Sequence, residues 1–145
     1  PDRQGFCRVG RRDVGGFVVS APDDAVAAAR GVMAAHFSAL NARDEAALAA
    51  TLHFPHYRLS GGVLKTWDGP DSYFADFQAR AGDGWDHSAL DSVDVIATEA
   101  DKVHLDVRFT RYRADRGVMG RFRSLWVIAK LEGRWAAQLR SSFAP

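Results

Sequence analysis

The stretches FRSLWVIAKL, residues 122–131, and WAAQLRSSF, residues 135–143, decide the fold class of this chain. Glu132-Gly133 lies between them and predicts a tight turn that pairs the two stretches as a hairpin. The first stretch is apolar at odd and even positions alike, which is typical of a strand covered on both faces. We therefore expect the chain to close with an antiparallel hairpin inside a packed sheet.

Two earlier strands extend this sheet. Residues 103–110 alternate strictly between apolar and polar side chains, and residues 93–96 alternate weakly. A period of two is the pattern of a strand with one buried face. Asp115-Arg116-Gly117 marks the turn that leads into the closing hairpin. The second half of the chain therefore predicts four long antiparallel strands.

The first half of the chain predicts helices. Apolar residues recur at steps of three and four over residues 26–40, which is one face of an amphipathic helix. Ser20 and Asp23 are candidate N-caps of this helix, and Asn41 is a candidate end.

Two shorter helices are predicted further along. Asp44 is a candidate cap for a second helix that runs through Leu48 to Leu52 and that Pro55 ends. Asp68-Gly69-Pro70 starts a third helix with aromatic residues on one side.

A hairpin separates these two short helices. Gly61-Gly62 supplies the positive φ angles of a two-residue turn between strands at residues 56–59 and 63–67. Three helices in the first half and four long strands in the second make an α+β domain, with the helices packed on one face of a curved, mostly antiparallel sheet.

This domain is expected to cover residues 23–145. The preceding basic arm, residues 1–22, carries four arginines against two aspartates and is broken by four glycines. Only Phe17-Val18-Val19 looks able to pack as a strand, so we expect the arm to be dispensable for folding.

Composition and charge exclude several classes of function. The chain has 145 residues, with 19 Lys and Arg against 18 Asp and Glu. So small a net charge argues against a protein that holds nucleic acid by counterion release. The longest apolar runs are far short of the ~20 residues that a membrane span needs, and no secretory signal is visible. We expect a cytoplasmic protein with neither a nucleic-acid nor a membrane partner.

The sequence predicts no metal and no cofactor. Cys7 is the only cysteine, so an internal disulfide and a thiolate cluster are excluded. His53 and His56 are spaced like a metal-ligand pair, but Pro55 lies between them and no carboxylate nearby in sequence completes three ligands. Neither a dinucleotide fingerprint nor a phosphate-cradling glycine loop is present.

Four short segments carry a resemblance to a known family. FSALNARD, residues 37–44, closes the first helix, and EGRW, residues 132–135, lies in the closing hairpin. Together with the short second helix, they resemble the nuclear transport factor 2-like (NTF2-like, also SnoaL-like) superfamily over about residues 23–143. HFPHYR, residues 53–58, and RSSFAP, residues 140–145, are similar to segments of an uncharacterised bacterial subgroup.

The resemblance implies a cone-shaped α+β fold with a pocket between the helices and the concave sheet. It also implies a homodimer, because relatives commonly pair through the outer sheet face. The superfamily includes steroid isomerases, polyketide cyclases, dehydratases, epoxide hydrolases and non-catalytic binding modules, so the fold alone does not supply a function.

The steroid isomerase pattern fits this chain poorly. Matched to that pattern, His36 falls at the position of a tyrosine on the first helix, and Ser60 falls at that of the carboxylate base. Ser124 or Leu125 falls where a protonated aspartate lies. A serine without a neighbouring base does not abstract a carbon-bound proton, so we disfavour this chemistry.

The epoxide hydrolase pattern needs an Asp-Arg-Asp arrangement. Asp94, Asp106 and Arg108 offer the right residue types on neighbouring strands. A cross-strand ion pair on the exposed or interface face is the favoured interpretation of these residues.

Two arguments disagree about which face of the sheet carries the polar strand residues. Periodicity sends the polar residues of these strands outward, because it places five others inward: Tyr57, Leu59, Trp135, Ala137 and Leu139. The family match suggests the reverse and turns four polar residues into the cone: His56, Arg58, Gln138 and Arg140. We favour the family match, because a sheet buried on both faces weakens the periodicity argument.

In that arrangement the pocket suits a small, largely apolar molecule with an acidic group. Arg58 and Arg140 grip the anion beside Gln138, and His36 or His56 is the candidate acid or base. For His36 a role in the core is an equally good interpretation. The candidate walls are aromatic: Tyr73, Phe74, Phe77 and Trp126. We expect ligand binding, with cofactor-independent lyase, isomerase or hydrolase turnover; the alternative is a non-catalytic binding or dimerisation module.

Overall fold

The computed structural model describes residues 23–145. Helix α1 covers residues 23–42 of this part, and its apolar stripe is buried as the spacing predicts: Ala29 and Met33 are fully buried, and Phe37 is nearly so. The basic arm, Cys7 and the candidate cap Ser20 lie outside the described residues. No helix in the described part is both long and apolar enough to cross a membrane.

Helix α1 does not end at Asn41, which corrects the expected boundary. The chain leaves the helix at Arg43, whose φ of 54° is left-handed. Asn41 instead links α1 to a distant strand: its amide donates to the carbonyl of Ser88 and its oxygen accepts from the N–H of Ser88, both at 2.8 Å. This side chain therefore serves a tertiary contact and not a helix cap.

Helix α2, Glu45–Ala50, begins as predicted. The Asp44 carboxylate accepts from the N–H of Ala47 at 3.0 Å, which satisfies one free donor of the first turn. The helix ends before the expected boundary, because Leu52 already belongs to strand β1, Leu52–Ser60. Pro55 lies inside this strand, so it does not end the helix.

Strand β1 and five later strands build one curled sheet. The later strands are β2 Val63–Trp67, β3 His87–Glu99, β4 Lys102–Tyr112, β5 Val118–Leu131 and β6 Arg134–Ser142, and helix α3, Tyr73–Ala81, lies between β2 and β3 in the chain. The strand order is β2-β1-β6-β5-β4-β3. Neighbouring strands are antiparallel except β1 and β6, which run parallel.

The predicted turns and alternation are confirmed. Gly61 and Gly62 both have positive φ angles, and so do Glu132 and Gly133 between β5 and β6. Such turns match the right-handed twist of paired strands. The apolar positions of β4 are buried at Val103, Leu105, Val107 and Phe109. The helices cover this inner face of the sheet, so the core lies between the two layers.

Candidate functional site

A cavity lies inside the core, between α1, α3 and the inner face of the sheet. Its free space is about 30 Å³, enough for two or three water molecules at roughly 10–15 Å³ each. The lining residues come from seven elements: His36, Phe37, Leu40, Arg58, Tyr73, Phe77, Arg80, Ser88, Phe109, Arg111, Ser124, Trp126, Arg140 and Ser142.

Four of these lining residues are arginines on four different elements. Arg58 on β1, Arg111 on β4 and Arg140 on β6 are at most 8% exposed, and Arg80 on α3 is half-buried. No carboxylate lines the cavity within the described part of the chain. The site is therefore a cluster of cations without an internal counter-charge.

Arg140 lies at the centre of this cluster. One of its terminal nitrogens, Nη1, donates to His56 Nε2 at 2.7 Å and to the Tyr73 hydroxyl at 2.8 Å. Its guanidinium also lies over the Trp126 ring, 4.7 Å from the ring centre. The groups that hold Arg140 in place are thus an imidazole, a hydroxyl and an aromatic ring. None of these three groups carries a negative charge that would neutralise the guanidinium.

The other arginines are held by carbonyls and rings. Arg58 donates to the carbonyl of Ala144 at 2.6 Å. Arg111 lies over the Phe122 ring at 4.8 Å and over the Phe77 ring at 5.4 Å. These contacts fix the guanidinium groups and leave their charges in place.

Burial and mutual repulsion lower the pKa values of three of these arginines. Burial is the main cause, and the charge of Arg140 adds to it in each case. The pKa falls to about 10 for Arg58, to about 9 for Arg80 and to about 10 for Arg111. All three remain protonated at neutral pH, so the cavity keeps its positive charge.

Three buried donors of the lining have no hydrogen-bond partner within the described residues. They are Arg80 Nε, Arg111 Nε and the indole Nε1 of Trp126. A buried donor without an acceptor carries a cost of about 1–3 kcal/mol. The lining residues therefore carry both positive charge and buried N–H groups that have no acceptor.

His36 on α1 borders the cavity and is 4% exposed. Its Nδ1 lies 2.8 Å from the hydroxyl of Thr51, and that hydroxyl donates its one hydrogen to the carbonyl of Leu48 at 2.7 Å. Nδ1 must therefore donate, which leaves Nε2 as an acceptor. Burial lowers the pKa of His36 to about 3, and the charge of Arg140 contributes to the shift.

His56 on β1 is fully buried behind Arg140 and is not among the lining residues. Its Nε2 accepts from Arg140, and its Nδ1 donates to the carbonyl of Ala137 at 3.1 Å. Both ring nitrogens are therefore used. Burial and Arg140 lower its pKa to about 2, so His56 acts as a neutral support for the arginine.

The structure resolves the disagreement over the sheet faces. His56, Arg58 and Arg140 face inward, as the family match predicts, whereas Leu59 and Leu139 are 48% and 39% exposed. The periodicity argument is therefore wrong at Leu59 and Leu139, whereas it is right for Ala137, which is fully buried.

Gln138 does not share the face of Arg140, which corrects the expected arrangement. The pairing of β5 with β6 shifts register between Val127–Leu139 and Ile128–Ala137, so Gln138 is the extra residue of a bulge. Its amide donates to the carbonyl of Pro55 at 2.6 Å. Gln138 is not among the lining residues of the cavity.

The aromatic candidates divide in a similar way. Tyr73, Phe77 and Trp126 line the cavity. Phe74 packs instead against α2 and β1, away from the arginines. His53 bonds to the carbonyl of Ala129 and to Arg134, outside the cavity.

Arg80 and Arg111 are the charged lining residues that sequence reasoning missed. Arg80 comes seven residues after Tyr73 and three after Phe77, so helical spacing places it on the same face of α3. Arg111 continues the period of two set by the buried positions Val103, Leu105, Val107 and Phe109, and the register shift of β4 comes only after it. The signal was therefore readable for both arginines.

A second, open space adjoins the cavity. It has about 320 Å³ and is also bordered by Arg58 and Arg80. Apolar side chains form most of the remaining wall: Val63, Trp67 and Ala79. Lys65 and Asp76, which form an ion pair at 3.7 Å, complete it. We call this space the hairpin groove, because β1 and β2 form one side of it.

The acidic residues considered for water activation lie away from the cavity. Asp106 forms an exposed ion pair with Arg123 of β5, at 2.7 Å. Asp94 pairs in register with Asp106 on the neighbouring strand and is exposed. No group of three or more His, Cys, Asp or Glu side chains in the described residues is arranged to hold a metal ion.

No protein-family model matches the sequence, and no curated protein matches it. Solved structures do. An NTF2-like protein with a cystatin-like fold from Novosphingobium aromaticivorans has a TM-score of 0.67 at 19% identity, over 83% of this chain and 82% of that chain. A protein of unknown function with a cystatin-like fold from Nostoc punctiforme has a TM-score of 0.65 at 14% identity, over 80% and 87%.

A ketosteroid isomerase-like protein from Erwinia carotovora atroseptica is also similar. Its TM-score is 0.59 at 19% identity, over 82% of this chain and 96% of that chain. The chain therefore has the NTF2-like, cystatin-like fold, and the resemblance drawn from residues 37–44 and 132–135 is confirmed at the level of the fold. Identities this low carry no function across.

Proposed function

We propose that this protein binds a small organic anion, with the acidic group in the arginine-lined cavity and an apolar body in the hairpin groove. One observation carries the proposal. Four arginines from four elements surround one cavity that no described carboxylate lines.

The energetics favour an anionic ligand. Bringing like charges together in a desolvated space is unfavourable. The lowered pKa values of Arg58, Arg80 and Arg111 reflect burial first and this repulsion second. A carboxylate placed between guanidinium groups accepts charge-assisted hydrogen bonds and offsets the repulsion.

The size of the two spaces supports a divided ligand. The cavity accommodates a group of two or three oxygen-sized atoms, whereas the groove is about ten times larger and mostly apolar. Arg58 and Arg80 border both spaces. A ligand with a compact acidic head and an apolar body fits this shape.

The same geometry favours binding over acid–base turnover. His56 uses both ring nitrogens, and the lowered pKa of His36, about 3, makes its Nε2 a weak base in the empty site. Lyase, isomerase or hydrolase activity would need a stronger base in contact with the ligand. We therefore place a non-catalytic binding protein first and cofactor-independent turnover second.

A titration with matched acids and amides tests the proposal. Phenylacetate is expected to bind and to shift the indole N–H signal of Trp126 in NMR spectra, whereas phenylacetamide is not. Arg140→Met should weaken phenylacetate binding at least tenfold. Arg108→Met removes an exposed arginine and should change nothing. Equal binding of the acid and the amide, or no binding of the acid at millimolar concentration, would refute the proposal.

We also propose that the protein forms a homodimer through the outer face of β5 and β6. Leu139 and Phe143 are 39% and 64% exposed on this face, and Leu125 and Val127 beside them are half-buried. Exposed apolar side chains that adjoin one another favour a protein contact.

A further inference from the structure

The arrangement of donors and acceptors in the cavity restricts the head group of the ligand. This step rests on the proposed function, because it concerns the same cavity. Guanidinium and indole groups only donate hydrogen bonds, and hydroxyls either donate or accept. Among the lining side chains that the structure describes, His36 is the one that offers only an acceptor, its Nε2.

The tautomer of His36 is fixed by its surroundings. The carbonyl of Leu48 only accepts, so the hydroxyl hydrogen of Thr51 points to it and the oxygen of Thr51 must accept from His36 Nδ1. Thr51 is not a lining residue, so the bonded edge of the ring faces away from the cavity. Nε2 therefore remains available on the cavity side as a lone pair.

This lone pair lies next to the arginine cluster. His36 and Arg140 both contact the Trp126 ring, with ring-centre distances of 5.1 Å and 4.7 Å. Both residues also lie beside Tyr73. The ring centres of His36 and Tyr73 are 6.4 Å apart, and Arg140 donates to the Tyr73 hydroxyl at 2.8 Å. A ligand oxygen held by Arg140 is therefore close to a group that needs a donor.

We infer that the ligand is a 2-hydroxycarboxylate, whose carboxylate binds the arginines and whose hydroxyl donates to His36 Nε2. A carboxylate with a neighbouring hydroxyl has three oxygen atoms, which matches the room for two or three water-sized groups. The carboxylate offers acceptors to the guanidinium groups of the arginines that line the cavity. The hydroxyl group donates its hydrogen to His36 Nε2. A carboxylate without a hydroxyl has no hydrogen to donate and leaves this acceptor unpaired.

Three small acids of nearly equal size separate the possibilities. Glycolate carries the hydroxyl donor, fluoroacetate carries an atom of similar size that does not donate, and acetate carries neither. We expect glycolate to bind about tenfold more tightly than either of the others, which is the worth of one hydrogen bond. Calorimetric titration at pH 7 measures this ratio, since all three acids are ionised there.

Two variants assign the preference to His36. His36→Phe removes the acceptor and should lower the affinity for glycolate to that for acetate, while acetate still binds. Thr51→Val keeps the imidazole but removes the acceptor that fixes its tautomer, and it should reduce the same ratio. His53→Gln changes a buried histidine outside the cavity and should keep the ratio of the wild-type protein.

The outcomes distinguish this inference from the proposed function. Equal binding of glycolate, fluoroacetate and acetate, or a preference that survives both variants, overturns the 2-hydroxycarboxylate assignment and leaves the anion site standing. Failure of these three acids and of phenylacetate to bind the wild-type protein overturns both.

Discussion

Arg111 is a buried cation whose described contacts are aromatic rings and, at 3.5 Å, the backbone oxygen of Pro145. Arg111→Met keeps most of the side-chain volume and removes one of four like charges, so we expect the free energy of unfolding to rise by about 1 kcal/mol in the absence of ligand. Urea denaturation measures the change. Arg123→Met is the control, because Arg123 is exposed and paired with Asp106. A loss of more than about 2 kcal/mol in Arg111→Met would show that a counter-charge stabilises Arg111.

The two buried histidines predict how stability depends on pH. Their folded pKa values, about 3 for His36 and about 2 for His56, lie below the unfolded value of 6.5. The unfolded chain therefore binds protons first as the pH falls, so stability is fully present above pH 6.5 and is lost below it. Below pH 6.5, each histidine lowers the free energy of unfolding by about 1.4 kcal/mol per pH unit until its folded pKa is reached.

Urea denaturation between pH 7.5 and pH 5.5 tests this dependence, because most carboxylates stay ionised there. His56→Gln keeps an acceptor for Arg140 and a donor for Ala137, and it should roughly halve the slope. His104→Gln, on the opposite face of β4, should leave the slope as it is. A wild-type stability that does not change over this range would contradict neutral, buried histidines.

At the scale of elements, Asn41 connects the end of α1 to the start of β3. Its side chain bonds both backbone groups of Ser88, which is 2% exposed. Asn41→Ala leaves a buried N–H and a buried carbonyl without partners, so we expect a loss of about 2–3 kcal/mol in unfolding free energy. Asn41→Asp keeps the acceptor for the N–H and should lose less. Equal losses in the two variants would show that the acceptor contributes nothing.

How far the sequence predicted each element follows from local regularity. The alternation of residues 103–110 and the turn at Glu132-Gly133 depend on adjacent residues, and both predictions are confirmed. The inward face of β6 was not predictable from periodicity, because the bulge at Gln138 shifts the alternation before Arg140. Arg140 was found through the family resemblance, which carries information about the whole sheet.

The cavity as a whole was only partly predictable for a related reason. Arg58 and Arg140 come from parallel neighbouring strands, paired in register, and the sequence marked both. Arg80 and Arg111 join them only when α3 and β4 close over the same space. The cluster of four arginines thus forms only in the folded core, because each arginine comes from a different segment of the sequence.

At the scale of the whole molecule, the two faces of β6 have different roles. Its inner face carries Arg140 and Ser142 into the cavity, and its outer face exposes Leu139, with the exposed Phe143 directly after the end of the strand. Because successive side chains of a strand point to opposite faces, a charge at Phe143 does not reach the cavity directly. The proposed dimer interface can therefore be disrupted separately from the anion site.

Phe143→Asp should convert a dimer into a monomer, since it places a charge within an apolar contact on both subunits. Sedimentation equilibrium at micromolar concentration measures the mass, with 15.9 kDa expected for the variant and twice that for the wild-type protein. Ser141→Asp, near the same interface but at a polar position, is the matched control and should weaken association less.

Phenylacetate should bind the Phe143→Asp monomer as it binds the wild-type protein, because the four arginines of the cavity all belong to one chain. A wild-type protein that sediments as a monomer refutes the interface, whereas loss of phenylacetate binding in the monomer would show that the two faces of the sheet are coupled.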